Sequence, residues 1–296
     1  MTKIGVIGAG KWGTALAFAL SEKNDVVLSS RTPRKLDNFV SMKEILTCEY
    51  LVITVPAQQV SLWLEENFVF SGQKILVASK GIEASSGKFL NEIYEMHIPH
   101  ANIAFLSGPS FAHEVLESLP TALVVNSENE ELSATFASFF PSFIKAYTST
   151  DVMGAEVSGA YKNVIAIAAG ICEGLGLGKN AAASLISRGL VEMQRFGNEY
   201  GAKEESFIGL SGAGDLFLTA SSEKSRNFRV GLGLACGKSQ EEILNDLGEV
   251  AEGIGTSYAL FEIAKKKGLY LPIANEVYAT LEGKNPQESL RDLLSN

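Results

Sequence analysis

The first seventeen residues constrain the fold of this chain more than any other segment. Residues 4–7 are a short apolar run typical of a buried strand, and Gly8, Gly10 and Gly13 follow at the spacing G-x-G-x-x-G. Residues 14–17 continue as a helix. In this arrangement the first glycine permits a tight turn, the second lets the backbone approach a pyrophosphate, and the third lets helix pack on strand. Free N–H groups at the helix start then face the anion. The segment therefore predicts a nucleotide-binding turn rather than a purely structural one.

The first half of the chain continues with short β-branched runs that alternate with helical segments. Several strands are apolar on both faces, as in a parallel sheet covered by helices. This order predicts an α/β fold with an N-terminal Rossmann doubly wound sheet over residues 1–150. The predicted strands are Ile4–Ile7, Val26–Ser29, Tyr50–Val55, Lys74–Ala78, Ile103–Leu106 and Ala122–Val125, and the helices are Thr14–Glu22, Val60–Asn67, Lys88–Tyr94 and Phe111–Glu117.

After residue 150 the strand signals almost stop, which predicts an all-α C-terminal domain over residues 151–296. Helical spacing appears in five segments, and a short capping helix enters through Pro286. Gly209–Asp215 is expected to be a second glycine-rich loop and, because it does not follow a strand, not a second dinucleotide site. The predicted helices are Val164–Glu173, Ala181–Tyr200, Ser239–Leu247, Thr256–Lys267, Ile273–Leu281 and Asn285–Asn296.

Charge and cysteine content exclude several classes of function. A net charge of −9 argues against nucleic acid as the main partner, because phosphate backbones attract basic surfaces. Three distant cysteines without a C-x-x-C pair or Cys/His cluster predict neither disulfides nor a metal site, and they fit a reducing cytoplasm. The chain enters a strand at once, so no signal peptide is expected. The longest apolar run, Val164–Cys172, is too short to insert into a membrane.

The end of the second predicted strand bears on the choice of cofactor. In NAD-binding units an acidic residue at this point accepts hydrogen bonds from the ribose hydroxyls. Here Ser29 is followed by Arg31 and Arg34, and no acid is present. A guanidinium suits a 2′-phosphate, so NADP(H) is the preferred cofactor and NAD(H) a possible one. The alternative is that both arginines are solvated turn residues.

Two lysines are candidates for chemistry. Lys80 follows a strand, and ligands of open α/β sheets bind beyond the carboxyl ends of strands. Lys162 stands at the entry to a strongly apolar helix, where it either reaches the surface or lies in a polar pocket. A desolvated lysine beside another cation can exchange protons near neutrality. Asp215 could lie beside a lysine, with Thr219 on the same helix face, or it could be an ordinary helix N-cap.

Three polar segments complete the candidate site. Ser107–Ala112 joins a strand to a helix, with Ser110 as a plausible N-cap and backbone N–H groups available to a ligand. Ser225, Arg226 and Asn227 offer a hydroxyl, a guanidinium and an amide, which suits a phosphate monoester or merely a polar turn. The acids of Glu249–Gly253 could be first-turn residues of the next helix.

Together these segments resemble the bacterial-type NAD(P)H-dependent glycerol-3-phosphate dehydrogenases. The matching sequence motifs follow the family's order and cover nearly the whole chain. One departure is the short chain between Arg34 and Lys43, where family members usually carry a longer segment at the rim of the adenosine pocket. The motifs are GAGKWGTALA (8–17), SKG (79–81), SGPSFAHEV (107–115), KNVIAIAAGICEGLGLGKNA (162–181), LISRGLVEM (185–193), GLSGAGDLFLT (209–219), KSRNFRVG (224–231) and VAEG (250–253).

The resemblance implies a role for each matching position. Lys162 would be the general acid/base, with Lys80 and Asp215 around the reacting carbonyl. Substrate-binding residues would be Lys80, Gly108, Ser110, Lys162, Asp215, Thr219, Ser225, Arg226 and Asn227. Cofactor-binding residues would be Gly8, Gly10, Lys11, Trp12, Gly13, Arg31, Lys80, Ala112, Arg226, Val250 and Glu252.

The expected protein is a cytoplasmic oxidoreductase that interconverts dihydroxyacetone phosphate and sn-glycerol 3-phosphate, supplies phospholipid synthesis, and could be a homodimer. Two alternatives stay open. One is a related two-domain reductase of a 2-keto or 3-hydroxy acid, which the phosphate-binding residues disfavour. The other is a non-catalytic NADP(H) sensor, which would not need Lys162 and Asp215 together.

Overall fold

A computed structural model describes residues 1–295. Its first half is a seven-stranded sheet in the order β2-β1-β3-β4-β5-β6-β7. Strands β1 to β5 pair in parallel, as expected. The strands are β1 (Lys3–Ile7), β2 (Asp25–Ser29), β3 (Tyr50–Ile53), β4 (Lys74–Val77), β5 (Ile103–Ser107), β6 (Thr121–Asn126) and β7 (Ile144–Ser149).

The far edge of the sheet differs from the sequence prediction. Strand β6 runs antiparallel to β5, with Leu106 opposite Val125, and β7 then pairs in parallel with β6. The sequence analysis missed β7. Most of its side chains are at least partly exposed, so it lacks the apolar run that marks a central strand.

Helices cover both faces of the sheet. One face packs an apolar cluster that includes Leu16 and Leu106, and the other packs a cluster that includes Ile53 and Tyr94. The sequence analysis missed α2 and α6, although Ser41 and Asn129 cap them with side-chain oxygens. These helices are α1 (Lys11–Ser21), α2 (Met42–Ile45), α3 (Val60–Asn67), α4 (Leu90–Glu95), α5 (Ala112–Leu116) and α6 (Glu130–Ser138).

The second half is helical, as predicted. Its core surrounds α7, which packs against several of the other helices. The helices are α7 (Val152–Gly174), α8 (Gly178–Asn198), α9 (Glu204–Ile208), α10 (Asp215–Ala220), α11 (Arg226–Ala235), α12 (Gln240–Leu247), α13 (Glu252–Lys267), α14 (Pro272–Leu281) and α15 (Pro286–Ser295). Asn296, in the last predicted helix, lies outside the described residues.

Helix α7 begins at Val152, well before the predicted start at residue 164. Its first half buries polar side chains, among them Glu156, Ser158 and Lys162, so no apolar period marks it as a helix. Lys162 therefore stands in the middle of a buried helix rather than at its entry.

The prediction of a loop at Gly209–Asp215 is wrong. Residues Leu210–Gly214 form a π-helical turn that leads directly into α10, and Asp215 is the first residue of that helix. A Cβ on Gly212 would lie 2.2 Å from the carbonyl oxygen of Phe207. The glycine thus allows a tight helical turn instead of marking a loop.

The short segment after β2 lies along the edge of the sheet. Phe39 forms an isolated parallel bridge with Leu28, and the Val40 N–H donates to the Leu28 carbonyl. Arg31 and Arg34 lie in the exposed chain between β2 and this bridge. Over residues 1–295, none of the helices has the length and apolarity needed to cross a membrane.

Candidate active site

The glycine-rich turn has the geometry of a phosphate cradle. Gly8 has a φ of +112°, and a Cβ on Gly13 would lie 1.8 Å from the Gly8 carbonyl oxygen. A Cβ on Gly10, in contrast, would meet no atom within 4 Å. Gly10 is the N-cap of α1 and contributes no side-chain hydrogen bond to it. The first and third glycines therefore hold the turn together, and the second leaves free N–H groups and open space for an anion.

Two contacts fix this turn on the sheet. The Thr54 hydroxyl, just beyond β3, lies 3.0 Å from the Ile7 carbonyl oxygen and 3.2 Å from that of Gly8. The Trp12 indole N–H donates to the Ala78 carbonyl oxygen at 3.0 Å. The turn thus stands above β1 and β3, where the strand order reverses and ligands of doubly wound sheets bind. Nothing in the sequence indicated Thr54, because its partners are 46 and 47 residues away.

A largely buried cluster of two lysines and one aspartate lies where the sheet meets the helical domain. The Lys162 Nζ donates to Asp215 Oδ1 at 2.5 Å and to the Thr219 hydroxyl at 3.0 Å. The Lys80 Nζ donates to Asp215 Oδ2 at 2.6 Å. Asp215 is 2% exposed and Lys162 is 8% exposed. One carboxylate therefore holds two cations that come from different domains.

The surroundings of the cluster shift its proton equilibria. Burial lowers the pKa of Lys162 to about 8; the charges of Lys80 and Arg226 act in the same direction, whereas Asp215 opposes them. Burial disfavours the charged form of Asp215, but both lysines outweigh it and hold its pKa below the usual value. Lys162 can consequently exchange a proton near neutral pH beside a permanent carboxylate.

The elements explain why these side chains meet. Lys80 follows β4 at the carboxyl edge of the sheet, and Asp215 starts α10 directly after the π-helical turn. Thr219 lies one turn further along α10, and its hydroxyl donates to the Asp215 carbonyl at 2.7 Å. The expectation that Thr219 shares a helix face with Asp215 is confirmed, whereas Asp215 is not an N-cap, since Gly214 occupies that position.

Ser225, Arg226 and Asn227 form the start of α11. The Ser225 side chain caps this helix by accepting the Phe228 N–H. Asn227 is buried: its amide donates to Asn163 Oδ1 at 2.8 Å, and its oxygen accepts the Gly253 N–H at 2.9 Å.

A glycine contact holds α11 close to α7. A Cβ on Gly170 would lie 2.0 Å from the Phe228 carbonyl oxygen. The start of α11, with the candidate phosphate-binding residues Ser225, Arg226 and Asn227, is thus packed against the helix that carries Lys162. The sequence analysis did not single out Asn163, although it adjoins Lys162.

Gly108 lies against the lysine cluster. Its carbonyl oxygen is 3.4 Å from the Lys80 Nζ and 3.3 Å from the Ser110 hydroxyl, and its φ is +104°. Ser110 was predicted as an N-cap, but Phe111 takes that position because α5 begins only at Ala112. Ser110 and Ala112 are half-buried; Ser110 lies between β5 and α5, and Ala112 is the first residue of α5.

The segment that contains the candidate cofactor-binding residues Val250 and Glu252 lies near the glycine-rich turn and the start of α11. The Glu249 carboxylate forms ion pairs with Lys11, whose Nζ lies 2.5 Å away, and with Arg226, whose Nη1 lies 3.7 Å away. It therefore links the glycine-rich turn to the start of α11. Glu252 begins α13 and accepts the Ala57 N–H at 3.2 Å, while its Oε2 is buried without a partner. Burial raises the pKa of Glu252 to about 7, against the opposing Ala57 hydrogen bond and Arg226 charge. Val250 is 43% exposed.

Arg31 is exposed in the chain that follows β2. The residues present fit a dinucleotide through the open space at Gly10, the free N–H groups of α1 and the unpartnered Glu252 oxygen. Over residues 1–295, the acidic, histidine and cysteine side chains form no cluster of three that could hold a metal ion.

A Rossmann domain with an open glycine-rich turn, joined to a helical domain that supplies a buried lysine, defines a dinucleotide-dependent oxidoreductase. Comparison with known proteins narrows the class. Residues 3–44 and 28–133 match the family model of the NAD-dependent glycerol-3-phosphate dehydrogenase N-terminus, and residues 151–291 match that of the C-terminus. The chain therefore belongs to the NAD-dependent glycerol-3-phosphate dehydrogenase family.

Similar proteins support the family over the full length. The chain is 76% identical over 296 residues to glycerol-3-phosphate dehydrogenase [NAD(P)+] of Sulfurimonas denitrificans, covering 100% of both chains. It is 60% identical over 292 residues to the enzyme of the same name from Nitratiruptor, covering 99% of this chain and 98% of the other. The crystal structure of glycerol-3-phosphate dehydrogenase from Coxiella burnetii superposes with a TM-score of 0.90 at 30% identity, covering 100% and 99%.

Proposed function

We propose that this chain interconverts dihydroxyacetone phosphate and sn-glycerol 3-phosphate with NAD(P)H, and that Lys162 is the general acid/base. The observation that carries the catalytic part is the contact of Lys162 and Lys80 with the two oxygens of Asp215. Family membership supports the reaction and both nicotinamide cofactors.

The lysine cluster serves the carbonyl end of the substrate. The cofactor, when bound, supplies a hydride to the ketone carbon. Lys162 gives a proton from Nζ to the developing alkoxide, and the charges of Lys162 and Lys80 stabilise that oxygen in a largely buried site. Asp215 and Thr219 orient the Lys162 ammonium through their hydrogen bonds. In the reverse direction neutral Lys162 accepts the alcohol proton.

The start of α11 serves the phosphate end. Ser225, Arg226 and Asn227 offer donors to the phosphate oxygens at a helix N-terminus, where the helix dipole favours negative charge. Binding the phosphate there contributes energy that positions the carbonyl against Lys162. Gly108 and Ser110 line the cleft between these two ends. This phosphate-type arrangement favours a phosphorylated substrate over the carboxylate of a 2-keto acid.

The cofactor is proposed to lie on the glycine-rich turn formed by Gly8, Gly10, Lys11, Trp12 and Gly13. The unpaired N–H groups of α1 receive its pyrophosphate. Further contacts come from Lys80, Ala112, Arg226, Val250 and Glu252. Arg31, with no acid at the end of β2, supports a preference for NADP(H) through the 2′-phosphate.

The proposal extends to the organisation of the protein. Residues 1–150 form the dinucleotide-binding domain and residues 151–296 the substrate domain; the end of β7 at Ser149 and the start of α7 at Val152 support this division. We place the enzyme in the cytoplasm as a homodimer that supplies glycerol 3-phosphate for phospholipid synthesis. The free, buried Cys48 and Cys172 fit a reducing compartment.

The reaction is tested by the loss of NADPH absorbance with purified protein and dihydroxyacetone phosphate, run beside NADH. Loss that requires the phosphate ester is expected, with a higher kcat/KM for NADPH that Arg31→Ala reduces. Dihydroxyacetone without phosphate is the matched control substrate. NADPH binding without turnover on any phosphorylated ketone would favour the sensor, and turnover only of 2-keto acids would favour the alternative reductase.

A further inference from the structure

Gly159 faces the side chain of Lys80. It lies on α7, three residues before Lys162 and so on nearly the same helix face. A Cβ on Gly159 would lie 3.2 Å from both Cγ and Cδ of Lys80 and 3.3 Å from its Cβ. Apart from the adjoining residues and backbone of α7, these are the three nearest atoms to that position. The aliphatic part of Lys80 therefore packs closely over Gly159, and a side chain at residue 159 would force it to shift by a few tenths of an ångström.

Both ends of Lys80 are fixed, so its side chain has little freedom to move aside. At the backbone, Gly81 has a φ of +146°, and a Cβ there would lie 2.9 Å from the Ala57 Cβ. At the other end, the Lys80 Nζ lies 2.6 Å from Asp215 Oδ2. Between these two points the methylene groups pass over Gly159.

We propose that Gly159 is a positioning residue for the reaction: its missing side chain sets the path of Lys80, so that the Lys80 Nζ reaches Asp215 beside Lys162. The inference rests on the proposed function, because it assumes that Lys80 and Lys162 act on the substrate.

A change in this path has an electrostatic consequence. The charged and polar groups facing Lys162 are Asp215 and Thr219 from α10, Lys80 from the loop after β4, and Arg226 from α11. Lys80 and Arg226 lower the pKa of Lys162, and Asp215 raises it. If the Lys80 ammonium moves away, the pKa of Lys162 rises. Since reduction uses protonated Lys162, its alkaline limit then moves to higher pH.

The test is Gly159→Ala in the full-length enzyme. We expect kcat/KM for dihydroxyacetone phosphate to fall by about tenfold or more, since small misplacements of catalytic groups are costly. The alkaline limb of the pH profile should move upward. The melting temperature should change little, because the greater helix propensity of alanine than of glycine offsets the cost of moving Lys80 away from Asp215. The matched control is Ser158→Ala on the same helix, whose buried hydroxyl has no partner; it should keep parental activity.

A double-mutant cycle separates this inference from the proposed function. Lys80→Ala alone should lower kcat/KM, and adding Gly159→Ala should cause little further loss, because the obstructed side chain is gone. Parental activity and pH profile in Gly159→Ala overturn the inference alone. The same is true if the two losses multiply, since Gly159 would then act independently of Lys80. Parental activity in Lys80→Ala overturns the proposed role of Lys80, and the inference with it.

Discussion

Replacing Lys162 with methionine should change how stability depends on pH. Burial lowers the pKa of Lys162 from 10.5 to about 8. Between these values the unfolded chain holds a proton that the folded protein has lost, so a rise in pH favours the folded state. Below this window the folded protein carries the cost of a buried ammonium. Methionine has a similar length and no charge, so the variant lacks this contribution.

The magnitude follows from the same interval. At about 1.4 kcal/mol per pH unit, the interval between about 8 and 10.5 corresponds to about 3 kcal/mol. The free energy of unfolding of the parent, relative to Lys162→Met, should therefore rise by about 2–3 kcal/mol between about pH 7 and about pH 10. Turnover of dihydroxyacetone phosphate should be lost in the variant while NADPH binding remains.

The assay is urea unfolding followed by circular dichroism at several pH values. Taking the difference between parent and variant removes the titration of the other lysines and tyrosines, which both proteins share. Lys23→Met, at an exposed position, controls for the loss of a charge as such and should show no comparable pH dependence. A parent-minus-variant difference that stays constant across this range would refute a lowered pKa for Lys162.

Two further predictions concern the cluster and the glycine-rich turn. Asp215→Asn leaves the buried Lys162 and the half-buried Lys80 without their anion, so we expect a loss of about 3–5 kcal/mol in stability by urea unfolding. The alkaline limb of reduction should also move to lower pH, because Asp215 raises the pKa of Lys162; an unmoved limb would contradict this. Gly10→Ala should raise the KM for NADPH at an unchanged melting temperature, since its Cβ meets no protein atom within 4 Å. Gly13→Ala should lower the melting temperature, because its Cβ would lie 1.8 Å from a carbonyl oxygen; equal effects of the two changes would argue against the cradle geometry.

Much of the fold follows from local signals. The strands β1 to β6 and helix α3 appear at or close to their predicted positions because apolar periodicity is a property of neighbouring residues. The same signals failed where polar residues are buried or where a regular element is exposed. The edge strand β7 is largely exposed and therefore lacks the apolar run of a buried strand. The first half of α7 is buried but contains Glu156 and Lys162, so it lacks the apolar periodicity of a buried helix.

The sequence by itself determined the glycine-rich turn, the two-part organisation and the family, because these depend on spacing along the chain. Only the tertiary structure decided which polar side chains meet. Lys80 and Asp215 are 135 residues apart, and Lys162 and Asp215 are 53 apart. Their contact depends on how the end of β4, the middle of α7 and the end of the π-helical turn lie relative to one another. The space above Gly159 was likewise invisible in the sequence, since a missing side chain has meaning only beside the atoms that fill its place.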